Sequence, residues 1–447
     1  MPMDRRTLVK YLGTVSAAGA LAGCISAKET DSGNGDGGNG DENGNGSDDG
    51  NGSDDGNGNG SDEGSETDGE WETLEPEEGV TGSATLWHDR ESAEQELLAE
   101  IVDEFNEQYE PTISLNQVAD IDDRTRTAIP AGEGPEGFEW AHDWAGTYWE
   151  EGLLSDQSDN LRVDMETFTG DAPNAVEWEG NVVGLPHAAE TTSLIYNAEL
   201  VDEPPETFEE LEAIMEEHHD PDNGMYGFTF PIDPYFYSGY AHAYGGFYYD
   251  EEADELGLSN EETVRGLEFI IDELYPYMPR DYGYEAQANT FQSGNAPFTI
   301  NGPWAVGNLE FEYGIAPQPS PPEGEPEPYT GISNIYFASA MDDDEERAAA
   351  FRSFVEWFVT DVDVQRRQAD ELGYIPVHAA LADGDETGDD VSGFMADIER
   401  GRAMPQGPKM DPVWTPLEEE FEEALNDNKS VQEAMEDAEE RIRDNWD

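Results

Sequence analysis

Between residues 25 and about 82 the chain is built from Gly, Asn, Asp, Ser and Glu, with almost nothing apolar before Trp71. A segment of this composition cannot bury enough surface to offset its chain entropy, and it is expected to be a disordered tether. Whatever folds must therefore lie beyond it, and order is expected to begin near Ser83. There the pattern changes. Residues 85–87 read as a strand, 93–105 carry a helical stripe of Leu97, Leu98, Ile101, Val102 and Phe105, and 112–118 alternate as a second strand. Strand, helix and strand in succession mark an α/β lobe with a largely parallel sheet. The alternation continues through a Pro-led helix (205–217), strands near 226–230, 296–300 and 330–338, helices over 260–274 and 344–359, and a charged helical end over 417–446.

One stretch, 185–197, sits at the centre of this pattern. It opens with Pro186 and a small polar cluster, passes a lone carboxylate at Glu190, and enters the strand-like run Ser193, Leu194, Ile195, Tyr196. Two readings are open. It is either a loop feeding a buried strand, with Glu190 solvated, or a crossover between two lobes, with Glu190 facing the cleft between them.

Charge narrows the choice of partner. There are 105 Asp and Glu against 20 Lys and Arg, a formal net of −85, and lysine occurs only at Lys10, Lys28, Lys409 and Lys429. A nucleic acid or an anionic membrane surface would need a basic patch, so neither is expected as a partner. Such an excess of acid suits concentrated salt, where screening removes most of the self-repulsion.

The first 24 residues read as an address. Arg5 and Arg6 precede a weakly apolar run over 8–22, the form of a twin-arginine export signal, too short for a convincing membrane span. The run ends Leu21, Ala22, Gly23, Cys24, which resembles the lipobox of prokaryotic lipoproteins, and Cys24 is the only cysteine of the chain. The expectation is an exported protein held at the outer face of the cell membrane through lipidated Cys24, with no other membrane contact. Asn45, Asn51 and Asn59 each begin an Asn-Gly-Ser sequon. One cysteine permits neither an intrachain disulfide nor a cysteine metal site. The calcium-loop-like start at Asp220 has Pro231 where the twelfth-position acid would stand, so no metal and no cofactor is expected.

Three further stretches accompany the central one: Trp140, Ala141, His142, Asp143; Ile300, Asn301, Gly302, Pro303, Trp304; and Met404, Pro405, Gln406, Gly407, Pro408 followed by Trp414. Together, and in this order and spacing, they resemble the maltose/maltodextrin-binding proteins, extracellular solute-binding proteins of ABC sugar importers, here of a haloarchaeal lipoprotein type. The resemblance covers essentially everything from residue 83 onward. It implies a two-lobed periplasmic-binding-protein-like α/β fold with a multi-segment hinge and a central ligand cleft. The lobes would comprise about 83–188 with 336–383, and about 193–331 with 390–447.

The resemblance also implies a site. Trp140, Tyr235, Trp304 and Trp414 match sugar-stacking aromatics; Asp143, Glu190 and Asp233 match hydroxyl acceptors; Met404 matches an apolar wall. Asp122 and Asp123 fall where the family has a pair of glutamates, and Asp89 with Arg90 corresponds to an Asp–Lys pair. The chemistry is coherent, because aromatic rings suit the C–H face of a pyranose and carboxylates suit its hydroxyl rim. His142 reads as structural. Two positions depart from the family: Trp144 stands where an arginine is common, placing a ring in the site, and Asp233 is one methylene shorter than the usual glutamate.

The implied function is that of a monomeric, lipid-anchored binding protein, not an enzyme, which captures maltose or maltodextrin and delivers it to ABC transporter permease subunits. Trehalose, sucrose or another neutral oligosaccharide is the alternative ligand. A glycoside-acting enzyme is the rival class, but no Gly-x-Ser-x-Gly elbow or phosphate-cradling loop accompanies the acids.

Overall fold

The computed structural model describes residues 71–90, 92–381 and 388–446. The leader, Cys24 and the three sequons lie outside the described residues. Residues 71–82, which the composition assigns to the tether, are already part of the described structure. The end of the low-complexity tract is tied down as a strap. Leu74 N donates to Thr360 Oγ1 at 2.9 Å, Arg162 Nη1 donates to the Glu75 carbonyl at 3.0 Å, and the Trp71 ring meets His378 edge-on at 5.4 Å. Two apolar side chains and a few main-chain bonds suffice where an otherwise polar segment has a groove to follow.

The first sheet contains β1 (Ser83–His88), β2 (Thr112–Gln117) and β3 (Gly137–Ala141), joined by α1 (Ser92–Gln108) and α2 (Ile121–Ala128). The five apolar positions of the α1 stripe are all buried. Asp120, in the left-handed region at φ 54°, turns the chain into α2, a conformation that Asp tolerates better than most residues. After β3 a short 3₁₀ turn (His142–Trp144) leads into α3 (Ala145–Glu150).

β4 (Gly184–Thr191) and β5 (Ser193–Asn197) follow with Thr192 alone between them, and they belong to different sheets. β5 is the centre of a three-stranded antiparallel sheet between β6 (Phe298–Asn301) and β7 (Tyr313–Ala316). The helix α4 (Pro234–Ala241) packs on β6. The chain then returns to the first sheet as β8 (Tyr329–Phe337), which pairs antiparallel with both β3 and β4. The helices α5 (Glu345–Thr360), α6 (Val362–Leu372) and α7 (Asp389–Arg400) lead to β9 (Arg402–Ala403), parallel to β8, and to α8 (Asp411–Leu425) and α9 (Val431–Trp446).

The fold is thus α/β and two-lobed, with one correction to its sheets. β1, β2 and β3 run parallel as expected, but β8 runs against β3 and β4, and the second sheet is wholly antiparallel. The cause is connectivity: β5 to β7 are supplied by chain that has already crossed from the other sheet, not by successive β–α–β units.

One apolar cluster lies under the first sheet, with Leu86, Ile101, Phe105, Phe354 and Phe358, and continues beneath the crossing to Ile195, Val306 and Phe394 of α7. A second unites β6 with α4, α8 and α9 through Ile300, Tyr237, Leu417, Phe421 and Met435. Where the strands cross, Gln318 Nε2 donates to the Thr192 carbonyl at 2.8 Å, Asp397 accepts from Gln318 N at 3.1 Å, and Arg400 Nη2 donates to the Gln318 carbonyl at 2.6 Å. Every peptide group of a buried crossing needs such a partner, and here side chains supply it.

Candidate functional site

The first cluster of candidate residues forms at the C-terminal end of β3. Trp140 is fully buried, and its ring lies 6.4 Å from Trp144, edge to face. Asp143 follows on the 3₁₀ turn, also buried. Burial pushes its carboxyl up to about 7; Asp411 adds to the rise, and a hydrogen bond from Trp414 opposes it. Trp414 is on α8, whose core lies under the second sheet, and its ring meets Tyr329 at 5.9 Å. A side chain of α8 therefore bears on the charge of a carboxyl at the end of β3.

His142 holds the same junction from behind. Its Nδ1 accepts from Ile332 N at 3.0 Å and its Nε2 donates to the Met404 carbonyl at 3.2 Å, which fixes a neutral tautomer. Burial holds its pKa down at about 4. Met404 itself is buried and is placed by this bond and by its own N–H on Thr330. Gly146 opens α3 against the far side: its N–H donates to the Gln406 carbonyl at 3.1 Å, and a Cβ there would stand 2.8 Å from that oxygen. Only glycine allows this approach.

Around this junction several buried polar atoms have no hydrogen-bonding partner among the described residues: Trp140 Nε1, Asp143 Oδ1, Thr147 Oγ1 and the Tyr329 hydroxyl. Buried polar groups are normally paired, so four in one neighbourhood mark a place built for something other than packing.

A second cluster gathers Asp233, Tyr235 and Trp304. Asp233 is the N-cap of α4 and accepts from Tyr235 N at 2.9 Å. The Tyr235 and Trp304 rings lie 6.4 Å apart, and Trp304 also meets Phe236 edge-on at 6.0 Å. Gly302 makes room for this, since a Cβ would fall 1.9 Å from the indole ring. Glu418, one turn beyond Trp414 on α8, is pushed up to about 9 by burial and by the charge of Asp233. Spacing of four residues puts Trp414 and Glu418 on one helix face. α8 therefore links the two clusters.

The third group lies at the end of β1. Asp89 is half-buried, and its carboxyl is raised by burial and by the charges of Glu139 and Glu94. Arg90 is buried, with its Nε 2.9 and 2.8 Å from the two oxygens of Glu139, and its guanidinium lies 5.2 Å over the Tyr374 ring. His187 adds a contact to Glu139 at 3.0 Å. Burial would raise the Glu139 carboxyl, but Arg90 and His187 hold it well below the usual range. Arg90 is thus engaged by an acid of its own chain. Glu190 is buried on β4 opposite Gly331 of β8, and its charge joins burial and the charges of Glu94 and Glu139 in raising the Tyr374 phenol, against the pull of Arg90.

Asp122 and Asp123 part company, because adjacent residues of a helix point about 100° apart. Asp122 accepts from the Tyr148 hydroxyl at 3.1 Å and pairs with Arg126 at 2.9 Å, whereas Asp123 is exposed. Burial pushes Asp122 up to about 6 against the pull of Arg126. The Trp144 ring stacks on Tyr148 at 5.8 Å and carries the Arg126 guanidinium 5.2 Å above it. Sequence reasoning missed Arg126, Asp411, Glu139 and Glu418. Only the spacing of Asp122 and Arg126, four residues apart on one helix, could have signalled any of them.

Known proteins fit this architecture. The family model described as bacterial extracellular solute-binding protein matches residues 100–395. The maltotriose-binding protein of Pyrococcus abyssi (strain GE5 / Orsay) is 36% identical over 360 residues, covering 78% of this chain and 79% of its own. The galactooligosaccharide-binding protein of Bacillus subtilis (strain 168) is 25% identical, covering 80% and 88%. Among solved structures, the Thermus thermophilus maltotriose binding protein bound with maltotriose matches with a TM-score of 0.73 at 26% identity, over 81% of this chain and 100% of that one. With two lobes, a crossing of the chain between them and a cluster of aromatics and carboxyls where they meet, the chain belongs to the bacterial extracellular solute-binding protein family.

Proposed function

We propose that this protein binds neutral malto-oligosaccharides in the cleft between its lobes and presents them to an ABC importer, without acting on them chemically. The observation that carries the reading is the cluster of unpartnered buried polar atoms at Trp140, Asp143, Thr147 and Tyr329, set among aromatic rings. A sugar offers both a C–H face for the rings and hydroxyls for those atoms. Trp140, Trp304, Trp414 and Tyr235 would supply faces, Asp143, Glu190 and Asp233 acceptors, and Met404 an apolar wall. Asp89 would reach ligand from the far end, with Arg90 placing it. Asp122 and Trp144 would act through Arg126, and exposed Asp123 at the rim.

The lobes are taken as about 83–188 with 336–383 and about 193–331 with 390–447, hinged at 188–193. Closure follows from ligand binding the closed form more tightly than the open one. The export signal, the lipid on Cys24 and the tether complete the reading, holding a monomer near its permease. A second ligand class is favoured by one detail. Asp233 caps α4 at 2.9 Å and is one methylene shorter than the glutamate usual at its place, which suits a differently linked neutral oligosaccharide.

The test is calorimetric titration of the protein in molar salt with maltose, maltotriose, trehalose, sucrose and a galacto-oligosaccharide. Saturable binding of maltotriose is expected. Binding of another sugar alone moves the ligand and keeps the mechanism; hydrolysis of a sugar overturns the assignment.

A further inference from the structure

α2 and α8, whose apolar residues belong to different cores, meet through one side chain. Arg126, in the last turn of α2, touches three carboxylates from three segments: Asp122 at 2.9 Å, Glu151 at 3.2 Å and Asp411 at 3.4 Å. The first two lie on the β3 side of the cleft. Asp411 opens α8, where the positive end of the helix favours an anion. The rings of Trp144 and Tyr148, 5.2 and 5.8 Å from the guanidinium, form a shelf that holds its long side chain in the direction of Asp411. With 20 basic residues against 105 acidic ones, a guanidinium shared by three acids is a scarce resource committed to this spot.

A partly exposed pair of this kind contributes little to global stability, so it does not account for the fold. It bears instead on an equilibrium whose two sides differ by little, the opening and closing of the lobes. We propose that Arg126 is a latch: its contact with Asp411 forms as the lobes close and sets how fast bound sugar escapes. The proposal rests on the reading of the cleft as a sugar site. It also gives Trp144 a role, as the ring over which the Arg126 guanidinium lies at 5.2 Å.

The test uses the full-length chain in molar salt, with maltotriose as the probe and stopped-flow fluorescence as the readout. Arg126→Gln and Asp411→Asn should each raise the dissociation rate by about three- to five-fold with little change in the association rate, the size expected of a half-exposed ion pair. The double variant should be no worse than either single one, and Arg126→Lys should restore part of the effect. If Arg126→Gln is slow to fold, Asp411→Asn carries the test alone. An effect of Arg126→Gln with none from Asp411→Asn would make Arg126 a direct sugar contact and overturn the latch, as would two unchanged rates. Should the unaltered protein fail to bind maltotriose, the sugar reading falls, and small-angle scattering without ligand decides the latch. Both variants expanded relative to the parent uphold it, and superimposable profiles overturn it.

Discussion

Arg90 and Arg126 are set against carboxylates in opposite ways. Arg90 is sealed in, 4% exposed, and engages Glu139 one to one, with Gln368, Tyr374 and His187 packed around the pair. Arg126 is 29% exposed at its side chain and is shared by three acids, one on its own helix, one after α3 and one opening α8. The chemistry is the same, so the surroundings decide the use. A buried one-to-one pair cannot be broken without stranding a charge, and it fixes the relative placement of β1, β3 and β4. A hydrated, over-subscribed cation can exchange partners cheaply, which is what a moving boundary requires.

The largest expected effect tests the sealed side. Arg90→Gln leaves Glu139 buried without its cation and should cost about 3–5 kcal/mol of stability, read by urea unfolding in molar salt. Adding Glu139→Gln should recover part of the loss. A cost under about 1 kcal/mol would mean that the pair is no more structural than the one at Arg126.

Asp143 sharpens the comparison because it is a buried carboxyl with no arginine. Its pKa of about 7 in the folded protein lies well above the ordinary 3.8 of an aspartate, with burial the largest cause. The folded state therefore holds the extra proton, and Asp143 favours folding below about pH 4, an advantage lost as pH rises through 7. Sugar binding should run the other way, since the ionised form is the better acceptor. Affinity should climb by up to about 1.4 kcal/mol per pH unit below 7 and level off above it. Calorimetry between pH 5.5 and 8.5 checks this, and Asp143→Asn should flatten the profile.

The smallest effect tests Arg126. Trp144→Ala removes the shelf under Arg126 and should cost about 0.5–1 kcal/mol in sugar affinity, measured by the same titration, with thermal stability nearly unchanged. A large drop in melting temperature would instead place Trp144 with the sealed centre.

Much of this could be read from the chain. The α1 stripe from Leu97 to Phe105 and the β1 and β2 strands are periodic, and periodicity survives into structure because it is a statement about which face is buried. At 185–197 the residues left a loop and a crossover both open; the crossover is what forms, with only Thr192 between the strands of the two sheets. The strap was not. Leu74 gains its place from Thr360, 286 residues away, and no local composition encodes that. The same holds for Arg126 and Asp411, 285 residues apart, and for Arg90, whose pairing with Glu139 depends on two strands lying side by side. Local pattern shows which residues are buried; which charges meet is decided by topology.

The strap has a mechanical consequence. Residues 71–75 grip Thr360 and Asp361 at the end of α5, the helix packed on β1, and Arg162, which pairs with Glu356 of the same helix, so tension arriving at Trp71 from the N-terminal side enters the fold through that helix. By these contacts a pull on Trp71 is delivered to one side of the crossing, and the second sheet is left out of its path.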